Sequence, residues 1–223
     1  MSMRHLLIAG TGRAGTTALV QLLDACGLAT GSDTLRYFAT SRAGLERKLI
    51  TDDAPYVIKQ PFLSEDLARF ITDGFDAGRI DAIIVPLRNL KDAATSRIRV
   101  FREHGLRSPG GLWRSLRPGV QLRVLGESEH QLLMTAAEHH IRVVLINFPR
   151  FVNDAGYAWT CLGPVLPGVD EGTFIEQHAA LMRPQLVSSL TYPGATALAL
   201  LDVWWLWQRM KWAAARLIRP RRP

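Results

Sequence analysis

Residues 80–87, Ile-Asp-Ala-Ile-Ile-Val-Pro-Leu, form a near-continuous apolar run of strand length. Such a run marks a parallel strand buried on both faces. Shorter runs at 5–9, 56–58, 122–125 and 142–148 predict further strands. Helical patterns lie between and beyond them. One is predicted at 16–26, with Gly27 placed to cap its end. A second is expected at 42–49. A third starts at Ser64 as N-cap, with Glu65 and Asp66 in its first turn, where negative charge favours the helix dipole. Others are predicted at 90–104 with Gly105 as its stop, at 128–140, at 173–182 with Pro184 beyond, and at 195–218. Residues 108–120 read as an irregular loop and 163–172 as a Pro/Gly-rich connection. Strands alternating with helices predict an α/β fold around a central parallel sheet. Two parts are expected: a domain over 1–194 and a Trp/Arg-rich helix and tail over 195–223.

At 223 residues, with 48% hydrophobic and 21% charged residues, the chain fits one domain with a sizeable core. Its net charge of +7 favours an acidic partner: a nucleotide, a nucleic acid, an anionic glycan or a membrane surface. Charge alone does not choose among them. Residues 31–53 are polar and basic, with Arg36, Arg42, Arg47 and Lys48. Cys26 and Cys161 lack metal-ligand spacing and read as buried small residues, consistent with a reducing compartment. Residues 1–5 run straight into the first strand, leaving no room for a signal peptide.

The chemistry starts at residues 6–23, LLIAGTGRAGTTALVQLL, which read as strand, glycine-rich turn and helix. Gly10 and Gly15 have the spacing of a P-loop, whose backbone N–H groups and helix N-terminus cradle an anion. The P-loop NTPases, whose three-layer fold this predicts, place Lys next to reach the β- and γ-phosphates. Here that position holds Thr16. The loop suits a ligand with one phosphate and a different group beyond it.

Gly12-Arg13-Ala14-Gly15-Thr16-Thr17 resembles the 5′-phosphosulfate loop of the sulfotransferases, which take a sulfuryl group from 3′-phosphoadenosine-5′-phosphosulfate (PAPS). A second segment, VPLRNLKDAATSR at 85–97, resembles the family's 3′-phosphate motif, with Arg88, Asn89, Leu90, Lys91, Asp92 and Ser96 at matching spacing. Val57-Ile58-Lys59-Gln60-Pro61 is similar to the strand-end Lys-x-Pro of bacterial-type members. The strand and Asn-Phe-Pro-Arg-Phe within 143–162 resemble a later Tyr-Glu-Asp-Leu segment without its acids. Together these span residues 6–162 in the family's order.

The resemblance implies that Gly12, Arg13, Ala14, Gly15, Thr16 and Thr17 hold the 5′-phosphosulfate, and that Arg88 and Ser96 hold the 3′-phosphate. A guanidinium fork with a hydroxyl suits a terminal phosphate. Read without the resemblance, Arg88 is equally a surface residue paired with Asp92. Arg13 would also serve catalysis, at the bridging oxygen or the 5′-phosphate. Lys59 would hold the transferring sulfuryl group or the departing phosphate oxygen, or is equally a solvated strand-end lysine. Cytosolic members carry a His base after this lysine, where this chain has Gln60 and Pro61. Other members use a carboxylate after the first helix, for which Asp33 is the nearest match, with Asp24 behind it. Asp33 reads equally as a turn residue. His104, His139 and His140 read as surface or packing residues. Ala14 and Leu90 depart from the family's Ser and Pro. Its C-terminal basic glycine motif is not visible, and Arg183 is the only substitute suggested. The short chain leaves the acceptor site open or completed by a second subunit.

Residues 195–218 are strongly apolar, with Trp204, Trp205, Trp207 and Trp212, and are followed by Arg219-Pro220-Arg221-Arg222. Asp202 breaks the run below the roughly 20 residues of a spanning helix. A helix lying in a membrane interface and a helix packed on the core or on a dimer partner fit equally.

The sequence therefore predicts a cytoplasmic PAPS-dependent sulfotransferase acting on a hydroxyl, on a small molecule, glycan or glycolipid. It needs no metal, binds no nucleic acid, and leaves peripheral membrane contact and a homodimer open. The alternatives are a divergent P-loop kinase and a catalytically silent nucleotide-fold protein docking on membranes.

Overall fold

The computed structural model describes residues 4–35, 37–38, 43–47, 54–60, 63–105, 108–187 and 191–218. In chain order the elements are β1 (His5–Ile8), α1 (Thr16–Ala25), β2 (Tyr37–Phe38), β3 (Ala43–Gly44), β4 (Val57–Lys59) and α2 (Leu63–Thr72). Then come β5 (Ile80–Leu87), α3 (Leu90–His104), α4 (Gln121–Glu138) and β6 (Val143–Asn147). The chain continues through α5 (Phe148–Asn153), α6 (Ala155–Leu162), α7 (Glu171–Leu181) and α8 (Ala195–Ile218).

The fold is α/β, with a four-stranded parallel sheet in the order β4-β1-β5-β6. Helices cover both faces, because side chains on these strands alternate between two cores. Leu6, Ile8, Ala82, Ile84, Val144 and Ile146 pack with Leu19 and Leu22 of α1, Phe151 of α5 and Phe174 of α7. Leu7, Ile58, Ile83 and Val85 pack with Leu63, Leu67 and Phe70 of α2 and Leu132 and Ala136 of α4. The chain leaves β1 toward β4 but continues from β5 toward β6. The crevice between the carboxyl ends of β1 and β5 is thus a topological switch point, where open α/β sheets bind ligands.

Several expectations are corrected. The strand predicted at 122–125 is the first turn of α4. In a helix, Val124, Leu125, Ser128, Leu132, Thr135 and Ala136 form one buried stripe, which local alternation hid. The helix expected at 42–49 is not formed in its described part. Ala43–Gly44 is a strand paired with Tyr37–Phe38, and Gly44 and Leu45 have φ of 115° and 58°, incompatible with a helix. Arg36, Arg42, Lys48 and Leu49 lie outside the described residues, as does Pro61. Ser64 is not an N-cap but lies inside α2. Leu63 must be helical to share a face with Leu67 and Phe70. The Glu65 side chain lies outside the described part. Cys26 and Cys161 are free and half-buried at the core's edge rather than enclosed.

Helix α8 is docked through one face. Trp205 is buried, and Trp204 meets Phe101 of α3 edge-on at 5.7 Å. Asp202 accepts hydrogen bonds from the Gly119 N–H at 3.0 Å and from Arg117 at 3.3 Å. Among the described residues, no helix is long and apolar enough to cross a membrane. The side chains of Arg209, Lys211, Trp212 and Arg216, and residues 219–223, lie outside the described part.

Candidate functional site

The loop after β1 has a backbone that resembles an anion cradle. Gly10, Gly12, Arg13 and Gly15 all have positive φ, of 119°, 63°, 55° and 78°. Successive left-handed residues turn N–H groups toward one point. Two of these positions have no room for a side chain. A Cβ on Gly12 would sit against the Arg97 guanidinium, and one on Gly15 would enter the Phe148 ring. Gly15 precedes α1 without a side-chain cap, so the helix N-terminus faces the loop with its own donors.

The strand order places a cation on each side of this loop. Lys59 ends β4 and Arg88 follows β5, with β1 between them. Lys59 Nζ donates to Thr17 Oγ1 at 2.9 Å and to the Gly44 carbonyl, and stands 3.7 Å from a Glu46 carboxylate oxygen. Burial lowers its pKa to about 8. Glu46 opposes that shift, while Arg13 and Arg97 add to it. Lys59 thus stands beside the start of α1, on the neighbouring strand. Arg88 donates to the Arg13 carbonyl at 2.9 Å and lies over the Phe148 ring at 5.6 Å. Burial lowers its pKa from the usual arginine value. Arg13 Nε donates to Ser96 Oγ at 3.0 Å, tying the first motif to the second. Asn89 caps α3 by accepting from the Lys91 N–H at 2.9 Å. Leu90 then occupies the first helical position, where proline is also favoured, so that departure is structurally mild.

These groups line one cavity of about 440 Å³, within the usual range for small-ligand sites. Its wall contains Gly12, Arg13, Gly15, Thr16, Thr17, Lys59, Arg88 and Ser96. Of the expected site residues, two are not in it. Ala14 is fully buried, its methyl in the core. Asp33 is exposed in a single 3-10 turn, Ser32–Thr34. Asp24 accepts from the Thr30 hydroxyl instead. His104, His139 and His140 also lie outside the wall, whereas Arg183 is in it.

Several site residues escaped the sequence reading. Among the described residues, Glu46 is the one carboxylate in the wall. It is placed by the left-handed turn at Leu45 and by a hydrogen bond from the Arg47 N–H to the Lys59 carbonyl at 3.0 Å. No local pattern marks it. Arg97 is buried and donates twice to the Thr11 carbonyl, at 2.6 and 3.2 Å, and once to Gly111 at 2.6 Å, while stacking on Trp113 at 4.6 Å. Burial holds its pKa down, with Arg13 adding to the effect. It clamps the anion loop to the 108–114 wall. A signal existed: Arg97 interrupts the apolar stripe Ala93, Ala94, Ile98 and Phe101 of α3. Gln121 extends the clamp, pairing with both backbone groups of Trp113 and donating to the Ser115 carbonyl at 2.7 Å. Phe148, named only as part of a motif, closes against Gly15.

The charge is one-sided. Among the described residues, the wall carries Arg13, Lys59, Arg88, Arg97, Arg99, Arg114 and Arg183 against Glu46 alone. Such a site suits a polyanion of small-molecule size, with a carboxylate held beside a lysine. No family model matches the chain, and no curated protein does.

Proposed function

We propose that the protein is a PAPS-dependent sulfotransferase that moves a sulfuryl group to a hydroxyl of a small-molecule or glycan acceptor. The observation that carries this reading is the cationic cavity built around an uncapped helix N-terminus, with Lys59 on one flank of the loop and Arg88 on the other. A donor with phosphosulfate at one end and a 3′-phosphate at the other suits cations on both flanks of the loop. Thr16 in the lysine position disfavours a triphosphate and hence a divergent kinase. The Glu46–Lys59 pair favours catalysis over a silent nucleotide fold.

The donor supplies the sulfuryl group, and the chain holds and polarises it. The Gly12–Thr17 backbone and Arg13 bind the phosphosulfate, and Arg88 binds the 3′-phosphate. Glu46 takes the proton of the acceptor hydroxyl as its oxygen bonds to sulfur. Lys59 neutralises the phosphate oxygen released when its bond to sulfur breaks. Glu46 replaces Asp33 in this role, because Asp33 is not in the cavity wall. The free thiols of Cys26 and Cys161 suit the cytoplasm.

Titration calorimetry with 3′-phosphoadenosine-5′-phosphate (PAP), AMP and ATP tests the reading. PAP binding tightest supports it. Tighter ATP binding transfers the site to a kinase, and binding of none of the three leaves a silent fold.

A further inference from the structure

Helix α8 has a second face that is largely exposed. Leu200, Val203, Leu206, Trp207 and Met210 are each half or more exposed, at 66%, 62%, 53%, 50% and 70%. At 3.6 residues per turn they fall within an arc of about 120°. The docked residues Asp202 and Trp205 lie on the other side of the helix. A stripe this wide, built from five large side chains, is unusual for a surface that meets only water.

Charge identifies what covers it. From Val203 to the C-terminus the sequence contains Arg209, Lys211, Arg216, Arg219, Arg221 and Arg222, and no Asp or Glu. The one acid of α8, Asp202, is held by Gly119 and Arg117. A second copy seated on this stripe would thus bring a basic tail and no available helix carboxylate to answer it. An anionic surface answers this basic sequence. An exposed apolar helix face followed by a basic segment suits a helix lying in a membrane interface. No described helix is long and apolar enough to cross.

We propose that α8 docks the protein peripherally on anionic lipid bilayers, with Leu200, Val203, Leu206, Trp207 and Met210 entering the interface and the basic tail holding the acidic headgroups. The inference is independent of the donor chemistry. It also gives the cavity a position. The segment Gly110–Arg114 walls the cavity, and the same loop continues to Arg117 and Gly119, which hold Asp202. The docked helix and the cavity wall are therefore mechanically joined.

Vesicle flotation of the full chain tests this, using phosphatidylcholine alone and phosphatidylcholine mixed with phosphatidylserine. Flotation is expected with the mixed vesicles and is expected to weaken in salt. The pair Val203→Ser and Leu206→Ser should abolish it while leaving circular dichroism and PAP binding unchanged, since both side chains are exposed. Replacing Arg221 and Arg222 with Gln should weaken it by about fivefold per charge. Equal flotation on neutral vesicles, none on either, or flotation untouched by the serine pair overturns the proposal. So does a concentration-dependent dimer, seen by light scattering, that the same pair dissolves. If the serine pair unfolds the chain, Met210→Ser alone, at the most exposed position, must reduce flotation or the proposal fails.

Discussion

The Lys59 ammonium and the Glu46 carboxylate stand 3.7 Å apart in the cavity wall, one at the end of β4 and the other on the segment following β3. Lys59 is almost wholly buried, whereas Glu46 is 40% exposed. The pair sets a cation beside the glycine-rich loop and leaves a carboxylate open to the cavity.

Anion binding should depend on the charge of Lys59. Its pKa is lowered to about 8 from 10.5, by burial above all. The free protein therefore holds the charge below about pH 8 and loses it above. PAP affinity should fall as pH rises through that point, by about tenfold or more for a lost charge-assisted hydrogen bond. Calorimetry across this range should show the fall in wild type and a flat profile in Lys59→Met. Stability runs the other way. Between about pH 8 and 10.5 the unfolded chain binds the proton more readily, so this lysine's contribution rises with pH across that window. The difference in urea midpoint between wild type and Lys59→Met should track it.

Glu46→Gln keeps the shape of the carboxylate and removes its basicity. Turnover with labelled donor should drop by about a hundredfold to ten-thousandfold, the usual contribution of a general base. PAP affinity should change by no more than a few-fold, because the lost group carries no positive charge. A matched loss of both would mean that Glu46 only positions Lys59.

Arg88→Ala should weaken PAP binding by about ten- to a hundredfold, the value of one charge-assisted interaction. AMP binding should hardly change, since AMP lacks the 3′-phosphate. Calorimetry with both ligands separates the two. Equal losses would make Arg88 a prop for the Arg13 carbonyl, which it also contacts.

Gly15→Ala should cost stability through both its φ of 78° and the Phe148 ring. The steric part belongs to the pair. Adding Phe148→Leu should recover about 0.5–3 kcal/mol, the range of coupling between residues in contact. Chemical denaturation of the two single variants and the double variant measures that coupling. Strict additivity would mean that the ring moves aside freely.

Strand β5 and helix α3 were legible to the residue, because a buried parallel strand and a helix ending in glycine declare themselves locally. The glycine-rich loop, Lys59 and Arg88 sit at a strand end or helix start that their own neighbours define, and Ser96 lies inside α3. The sheet made of these elements brings all four groups to one cavity. The carboxylate proposed as the base could not be read this way. Glu46 and Asp33 are both acids on an irregular segment after the first helix, and nothing local separates them. The Leu45 backbone and the Arg47–Lys59 hydrogen bond bring Glu46 to the lysine, and Asp33 is left in solvent. Arg97 shows the same division. The sequence puts a cation in an apolar stripe, but its partners at Thr11 and Gly111 lie 86 and 14 residues away. Local sequence determined which elements form and which groups end them, since capping, turn geometry and side-chain alternation act over a few residues. Only the tertiary structure decided which acid meets the lysine and what the buried guanidinium holds, because those contacts exist only once distant backbone segments pack.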